Sequence, residues 1–316
     1  MFPGARRPPA KMRRRAIKNV KGRHDRTARR IEIGGMKAMK KVLALAALCV
    51  ALTALAGFFA PRVQVTALDV GKADAILVTA PGCAVLIDTG SAETAPRVLQ
   101  ALQARGIHHL DALIVSHFDQ DHIGGAAAVL AAVQVDAVYQ PDYTRKTGAF
   151  ASYCRALSAG GSAVVTVRAE ETAQIGPLRF VLLPPPGGSA TRSSNDHSLV
   201  TALYCGDVSF LLPGDASSQR LQELLDAQIG AFDVLKIPHH GIAEENTAEF
   251  LRMVAPDFAV VTTATADYAD GDLVAQLRAM GTDVRSTCGR AVHYYCNGRT
   301  VYASGGSCLG LTKKRL

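Results

Sequence analysis

The sequence predicts an α/β (α+β) protein that forms a four-layer αβ/βα sandwich, preceded by one N-terminal hydrophobic segment. Short β-branched runs with turn residues between them alternate with helical stretches along most of the 316 residues. These runs form two sheet-rich halves, and each half carries its own helices. In such a sandwich the strand-end loops of both halves converge on one cleft.

The N-terminal residues 1–41 are strongly basic, since they hold 15 of the 35 Lys and Arg residues and two of the 27 acidic ones. Residues 42–316 therefore hold 20 basic and 25 acidic residues. The overall charge of +8 is thus not the footprint of a nucleic-acid-binding surface on the folded part. We expect residues 1–41 to be a disordered cytoplasmic tail, or the product of a start codon assigned too far upstream.

Residues 42–60 form an uncharged run of nineteen residues in which Thr53 is the one polar side chain. This length crosses most or all of a hydrocarbon layer as a helix. The positive-inside rule keeps the basic flank in the cytoplasm, so the chain after Pro61 is expected to be exported. Two alternatives remain: cleavage at the small residues around Ala54 releases a secreted protein, and an uncut run anchors it in the membrane.

The chain has seven cysteines, of which Cys49 lies in the apolar run and six follow it. An even number in an exported domain permits disulfides. Cys288 and Cys296 bracket a predicted strand pair and are the first choice for a bridge, with buried free thiols as the alternative. A C-x-x-C pattern is absent, which disfavours a thiolate zinc site or a thioredoxin-type motif.

The apolar runs place the elements in order, beginning with an antiparallel meander over residues 63–87 that has a tight turn at Pro81-Gly82. Later strands are expected at 110–116, 137–139, 163–167, 178–183, 199–204, 208–213, 232–237 and 258–263, with a hairpin across 291–303. Helices are expected at 94–105, 126–132, 149–160, 217–228, 246–254 and 271–280. One folded domain is thus predicted over 63–305, followed by a C-terminal tail at 306–316.

The segment from Ser116 to Gly125 is the most informative one in the chain. It contains His117, Asp119, Asp121 and His122 on a predicted strand-to-helix loop, where a turn can aim all four side chains into one cavity. Imidazole and carboxylate ligands suit zinc, and they accept manganese or iron as the number of oxygen ligands rises. The sequence therefore predicts a divalent metal site here.

The pattern His117-x-Asp119-x-Asp121-His122 resembles the H-x-[HD]-x-D-H signature of metallo-β-lactamase-fold hydrolases, in the Asp variant typical of the C-terminal domain of ComEC competence proteins. Five further segments resemble that family in order and spacing, namely LDVGKADA at 68–75, LIDTG at 86–90, NDHSLV at 195–200, LPGD at 212–215 and LKIPHHG at 235–241. The resemblance covers about residues 63–305. The combination is more specific than any single motif.

The resemblance implies a centre with two divalent ions, either zinc or manganese, in which His117 and Asp119 hold one ion, Asp121 and His122 hold the second, Asp215 bridges both, and His239 or His240 completes the second site. It also gives Asp121 and His240 a catalytic role. Two nearby cations need a shared carboxylate to offset their repulsion, and Asp215 follows a predicted strand. The structural alternative for Asp215 is a turn residue that caps the next helix.

Three other side chains have less certain roles. Asp88 closes a predicted strand and is expected to orient a ligand histidine rather than to bind metal itself. Asp74 fits a turn equally well. His197 is the one histidine between His122 and Asp215, so it alone can stand where many proteins of this fold place a further ligand.

Three positions depart from the resembled pattern. Lys72-Ala73 replaces Gln-Gly, Ile242 replaces the Ser that normally follows the His-His-Gly motif, and the segment at 268–271 lacks the usual His-Pro. The predicted metal ligands are retained, and the substrate side differs.

The predicted function is that of an extracytoplasmic phosphodiesterase or nuclease in which two metal ions activate a hydroxide, with single-stranded DNA as one substrate. One alternative is a hydrolase of a small cell-surface ester of the phosphocholine or lactone type. Another is a catalytically silent accessory or binding protein of DNA uptake. The acidic balance of the domain predicts weak nucleic-acid binding, and the loop cations best placed to contact phosphate are Lys72, Arg145, Lys146 and Arg192.

Overall fold

The computed structural model describes residues 39–51, 63–187, 192–265 and 268–308. The chain divides into two compact units, Met1–Ala60 and Pro61–Leu316. In the first unit, residues 39–51 form helix α1, whose apolar side chains are exposed. Within the described ranges, no helix has both the length and the hydropathy that a membrane crossing requires. Residues 1–38 of the basic tail, 52–60 of the apolar run and 309–316 of the C-terminal tail lie outside these ranges, so signal, anchor and tail stay predictions.

The described part of the second unit contains sixteen strands and seven α-helices, besides two short 3₁₀ helices. The strands are β1 (Val63–Ala67), β2 (Ile76–Ala80), β3 (Cys83–Ile87), β4 (His109–Ile114), β5 (Gln134–Pro141), β6 (Ala163–Val167), β7 (Glu171–Ile175), β8 (Leu178–Leu183), β9 (Val200–Cys205), β10 (Val208–Leu212), β11 (Val234–Lys236), β12 (Phe258–Val261), β13 (Asp283–Ser286), β14 (Val292–Cys296), β15 (Val301–Gly305) and β16 (Ser307–Cys308). The helices are α2 (Ala95–Gln103), α3 (Gln120–Ile123), α4 (Ala126–Ala132), α5 (Gly148–Ala159), α6 (Ser218–Asp226), α7 (Thr247–Val254) and α8 (Gly271–Ala279).

The described strands form two eight-stranded mixed sheets. The first has the order β15-β14-β1-β2-β3-β4-β5-β6, and the second has the order β16-β13-β12-β11-β10-β9-β8-β7. Strand β2 illustrates the layering, because Ile76 and Val78 pack into the core between the sheets whereas Leu77 packs toward helix α2. Helices α6, α7 and α8 cover the second sheet with residues such as Leu221 and Phe250. This arrangement confirms the predicted four-layer sandwich.

Three strands were not expected from the sequence. Strand β7 is the edge of the second sheet and has the mostly polar sequence ETAQI, and β13 has the sequence DVRS near the opposite edge. The third, β16, is two residues long. Edge strands bury little side-chain surface, so their sequences lack the apolar runs by which central strands are recognised.

The predicted Cys288–Cys296 bridge is absent, since the described residue Cys296 is not part of a disulfide. The Cys296 thiol lies in the core and donates to the carbonyl oxygen of Cys205 at 3.7 Å. The Cys288 thiol instead donates to the carbonyl oxygen of Ala264 at 3.2 Å. Because the two side chains face different neighbours, their proximity along the sequence does not bring the sulfur atoms together.

Candidate metal centre

The predicted metal ligands lie in loops that follow parallel strands. Strands β3, β4 and β5 run parallel in the first sheet, as do β10, β11 and β12 in the second. Asp88 follows β3, the segment 116–122 follows β4, Asp215 follows β10 and His240 follows β11. Ligand sites of open α/β sheets form at the carboxyl ends of strands, and the loops of both sheets meet at such ends here.

Four side chains form the centre of the site: Asp121, His122, Asp215 and His240. One ligand atom from each of them lies within 4.8 Å of all the others. The Oδ2 atom of Asp215 is 3.3 Å from Nε2 of His122 and 3.2 Å from Nε2 of His240. Oδ2 of Asp121 is 3.5 Å from Nε2 of His240. The sequence predicts this grouping for the second metal ion; the bridging role of Asp215 stays a prediction.

His117 and Asp119 lie beside this cluster. Nε2 of His117 is 3.7 Å from Oδ2 of Asp119, and the His117 and His122 ring centroids are 4.0 Å apart. The other oxygen of Asp119, Oδ1, accepts a hydrogen bond from Ser194 Oγ at 2.6 Å and forms an ion pair with Arg145, whose Nη2 lies 2.9 Å away. Asp119 therefore keeps Oδ2 directed at His117, as a shared ligand set for the first ion requires.

The histidine nitrogens supply the test of whether these residues fit a metal. The Nε2 atoms of His117, His122 and His240 are buried and have no hydrogen-bond partner among the described residues. Buried polar atoms are normally paired, so three unpaired imidazole nitrogens, each within 3.7 Å of a carboxylate oxygen, indicate positions for bound ligands such as metal ions. Imidazole nitrogens and carboxylate oxygens in this number fit a divalent zinc or manganese ion.

The opposite nitrogen of two of these rings is fixed by the protein. Nδ1 of His122 donates to Oδ2 of Asp88 at 2.8 Å, and Nδ1 of His240 donates to the carbonyl oxygen of Thr262 at 2.9 Å. Asp88 is itself held by Ser116, whose Oγ donates to Oδ2 at 2.6 Å. These contacts select the tautomers in which Nε2 carries the free lone pair. Asp88 thus has the orienting position that the sequence predicts.

A buried lysine forms the floor of the site. Nζ of Lys236 lies 2.7 Å from Oδ2 of Asp74 and donates to the carbonyl oxygen of Gly214 at 2.8 Å and to Oδ1 of Asp215 at 3.1 Å. Oδ1 of Asp74 accepts a hydrogen bond from Thr262 Oγ1 at 2.5 Å. Because Lys236 takes Oδ1 of Asp215, the second oxygen of that carboxylate is left to face His122 and His240.

The neighbouring charges set the protonation of these groups. Burial lowers the pKa of His117, and the adjacent His122 lowers it further. Burial also lowers the pKa of His122, but the carboxylates of Asp215 and Asp88 outweigh it and hold that pKa well above its ordinary value. Burial raises the pKa of Asp215, yet His122 and Lys236 outweigh it and keep the pKa well below the usual range. The carboxylate is therefore ionised and ready to attract a cation, and metal binding at His122 displaces a proton.

The backbone conformation of the histidine doublet determines which of His239 and His240 faces the cluster. His239, His240 and Gly241 have φ values of 48°, 53° and 91°, a run of left-handed conformations that L residues adopt only under constraint. His240 points into the cluster and is buried, whereas His239 lies outside it. The His239 ring instead contacts Glu244 through Nδ1 at 3.1 Å and Asn195 through Nε2 at 3.1 Å.

Two other residues do not lie where the sequence predicts them, namely His197 as a possible ligand and Arg192 as a phosphate contact. His197 stacks on Tyr143, with ring centroids 4.1 Å apart and planes inclined by 8°, and lies outside the metal cluster. Arg192, one of the expected phosphate contacts, has its Nη2 2.7 Å from Oε1 of Glu223, and its side chain is 4% exposed. It is therefore engaged in an internal ion pair.

Sequence reasoning missed Lys236 and Thr262 and left Asp74 undecided. Lys236 did carry a signal, because a single lysine between Leu235 and Ile237 in an apolar strand must pair with a carboxylate if it is buried. Its partners are distant in the sequence, so only the fold identifies them.

The comparisons with known proteins agree with this geometry. A profile of the Metallo-beta-lactamase superfamily matches residues 68–264, and the chain belongs to that superfamily. The chain is 32% identical over 219 residues to ComE operon protein 3 of Bacillus subtilis (strain 168) and 32% identical over 208 residues to Recombination protein 2 of Haemophilus influenzae. These matches cover 63% and 64% of this chain, and 28% and 24% of the two relatives. The predicted resemblance to competence proteins is thereby confirmed, and the chain matches about a quarter of each relative's length.

A solved structure supports the fold. The metallo-beta-lactamase fold protein YhfI from Bacillus subtilis matches 77% of this chain and 100% of its own chain, with a TM-score of 0.50 and 14% sequence identity. At this identity the similarity concerns the fold alone.

Proposed function

We propose that this chain is a metal-dependent hydrolase with two divalent ions, acting as a phosphodiesterase or nuclease. The observation that carries the proposal is the convergence of the buried, unpaired Nε2 atoms of His122 and His240 on the carboxylates of Asp121 and Asp215. The unpaired Nε2 of His117 lies beside them, 3.7 Å from Asp119. His117 and Asp119 are assigned to one ion. Asp121, His122 and His240 are assigned to the other, with Asp215 shared. Such ions supply Lewis acidity, which stabilises developing negative charge and acidifies water.

The chain's own residues hold and orient the reacting groups. Lys236, which also pairs with Asp74, holds the Asp215 carboxylate in place through an ion pair. Asp88 holds the ring of His122 through a hydrogen bond to Nδ1. The Asp121 side chain is 27% exposed, against 4% for Asp215, so it reaches the solvent side of the cluster. We assign to Asp121 the transfer of a proton from the attacking water. His240 borders the same space and is the second group assigned to catalysis.

Two observations support a phosphodiester substrate and an extracytoplasmic site of action. The relatives carry the names of a competence operon protein and a recombination protein, which favours a role on DNA. The basic tail followed by the apolar run at 42–60 favours export, as a secreted or a membrane-anchored protein. Protease added outside intact cells should then digest the domain, and full protection would contradict export.

The deciding experiment combines metal analysis with a panel of substrates. Purified protein should contain about two transition-metal ions per chain, and a chelator should abolish hydrolysis of bis-p-nitrophenyl phosphate and of single-stranded DNA. Zinc or manganese should restore it. Cleavage of lactones or phosphocholine esters alone would favour the cell-surface ester hydrolase. Loaded protein without turnover on any substrate would favour the silent accessory protein.

A further inference from the structure

Two cations lie on the outer side of the carboxylates predicted to bind metal. Nζ of Lys72 is 3.2 Å from Oδ2 of Asp121, and Nη2 of Arg145 is 2.9 Å from Oδ1 of Asp119. The two basic side chains are 37% and 36% exposed, so both are within reach of a molecule that enters from solvent. The mouth of the candidate metal centre therefore carries two cationic side chains, each paired with a carboxylate, although the domain as a whole is acidic.

The two cations have different constraints. Arg145 shares Oδ1 of Asp119 with Ser194 Oγ, so it belongs to the contacts that orient a predicted ligand. The Asp121 oxygen beside Lys72 instead lies 3.5 Å from Nε2 of His240, and Nζ of Lys72 lies 5.7 Å from the centroid of the ring of Tyr268, a residue that is 36% exposed. A lysine ammonium sits on a flexible stem and can change partners within one site.

Lys72 and Tyr268 are also two of the positions at which the sequence departs from the resembled pattern. The structure places these departures against each other at the mouth of the site. A neutral glutamine at position 72 would donate a hydrogen bond without carrying charge. A lysine in the same place adds a full positive charge beside the reacting centre.

We propose that Lys72, flanked by Tyr268, contacts the negatively charged non-bridging oxygen of a phosphodiester and selects anionic over neutral esters. This assignment rests on the proposed hydrolytic function. The contact is a charge-assisted hydrogen bond, which is stronger than a neutral one. Tyr268 contributes a surface against which the lysine stem and a substrate group can pack.

The kinetic test uses two substrates that differ in one charge. Lys72→Gln should lower kcat/KM for bis-p-nitrophenyl phosphate by about tenfold, mainly through KM, because a hydrogen bond to a charged group is lost. The neutral O-methyl triester of the same compound should change by less than about twofold, because it lacks the charged oxygen that the contact requires. Lys72→Arg should retain most of the preference. Arg252→Gln, which removes an exposed cation from α7, is the matched control, and metal content is measured on every variant.

A binding test works without turnover and separates the two proposals. Wild-type protein should bind a dinucleotide with a phosphodiester linkage more tightly than the same dinucleotide with a neutral methylphosphonate linkage, and Lys72→Gln should lose that difference. An absence of hydrolysis with this charge preference intact would overturn the proposed function and leave the role of Lys72 standing. Equal binding of both dinucleotides by the wild type, binding of neither, or an unchanged preference in Lys72→Gln would overturn the role of Lys72.

Discussion

The floor of the candidate metal centre, formed by Lys236, Asp74 and Asp215, and its rim, formed by Lys72 and Asp121 at the mouth of the site, are both built from ion pairs but differ in burial. On the floor, Lys236, Asp74 and Asp215 have side chains that are 0%, 3% and 4% exposed. On the rim, the Lys72 and Asp121 side chains are 37% and 27% exposed. Breaking a buried ion pair leaves a charge without compensation, whereas an exposed pair contributes about 0–1 kcal/mol. The floor should therefore control folding and metal position, and the rim should control recognition.

The largest expected effect comes from Asp215, the carboxylate that we propose both ions share. Asp215→Ala should lose at least one metal ion and lower phosphodiester hydrolysis by several orders of magnitude, because two cations then lack a shared negative charge. Metal analysis, the melting temperature and turnover are measured together. A helix-capping role predicts instead a loss of about 1 kcal/mol with turnover intact. Helix α6 in fact begins after Ser217 as its N-cap residue.

The matched control for this variant is Asp207→Ala, which removes an exposed carboxylate from the β9–β10 turn. It should keep both ions and full activity. An Asp215→Ala protein that retains both ions and most of its turnover would end the bridging assignment.

The second expected effect is a difference in the free energy of unfolding between variants of the floor and variants of the rim. Lys236→Met leaves Asp74 and Asp215 without their cation and should lower the free energy of unfolding by about 3–5 kcal/mol. Lys72→Gln should change it by no more than about 0.5 kcal/mol, since that side chain is partly exposed. Denaturant titration measures both. Adding Asp74→Asn to Lys236→Met should recover part of the lost stability. Equal free energies of unfolding for Lys236→Met and Lys72→Gln would contradict the comparison of floor and rim.

A smaller effect is expected for the residue that orients His122. Asp88→Asn keeps the size of the side chain and removes the charged acceptor for Nδ1, so metal affinity should fall by about 10- to 100-fold. Competition with a chromophoric chelator measures this affinity. Ser116→Ala, which removes one hydrogen bond to Asp88, should reduce affinity less. Wild-type affinity in Asp88→Asn would show that the contact does not position the ring.

The smallest expected effect is on metal content at His239. His239→Ala should keep both ions because the ring lies outside the cluster, whereas His240→Ala should lose one. Elemental analysis of the two variants distinguishes them. Loss of metal in His239→Ala with retention in His240→Ala would reverse the assignment.

The sequence predicted the ligand set because His117, Asp119, Asp121 and His122 are concentrated in one loop and their chemistry is explicit in the residue types. It could not separate His239 from His240, since both have the same side chain and only the left-handed backbone directs the second into the site. Central strands were recognised by their apolar runs, whereas the polar strands β7, at one edge of the second sheet, and β13, next to the opposite edge, were not. The ion pairs of the floor join residues far apart in the chain, so they follow from tertiary structure alone.

The ligands come from loops of both sheets, with His117 and His122 after β4 and with Asp215 and His240 after β10 and β11. An unfolded chain holds these two groups far apart, so an ion that binds His122 together with Asp215 and His240 binds the native state alone. At a free concentration one hundred times its dissociation constant, such an ion adds about 2.7 kcal/mol to the free energy of unfolding. A bound ion is therefore a reversible cross-link between the sheets. Slower amide exchange in β4 and β11 together would be its signature, because opening either sheet at this edge first requires the ion to leave.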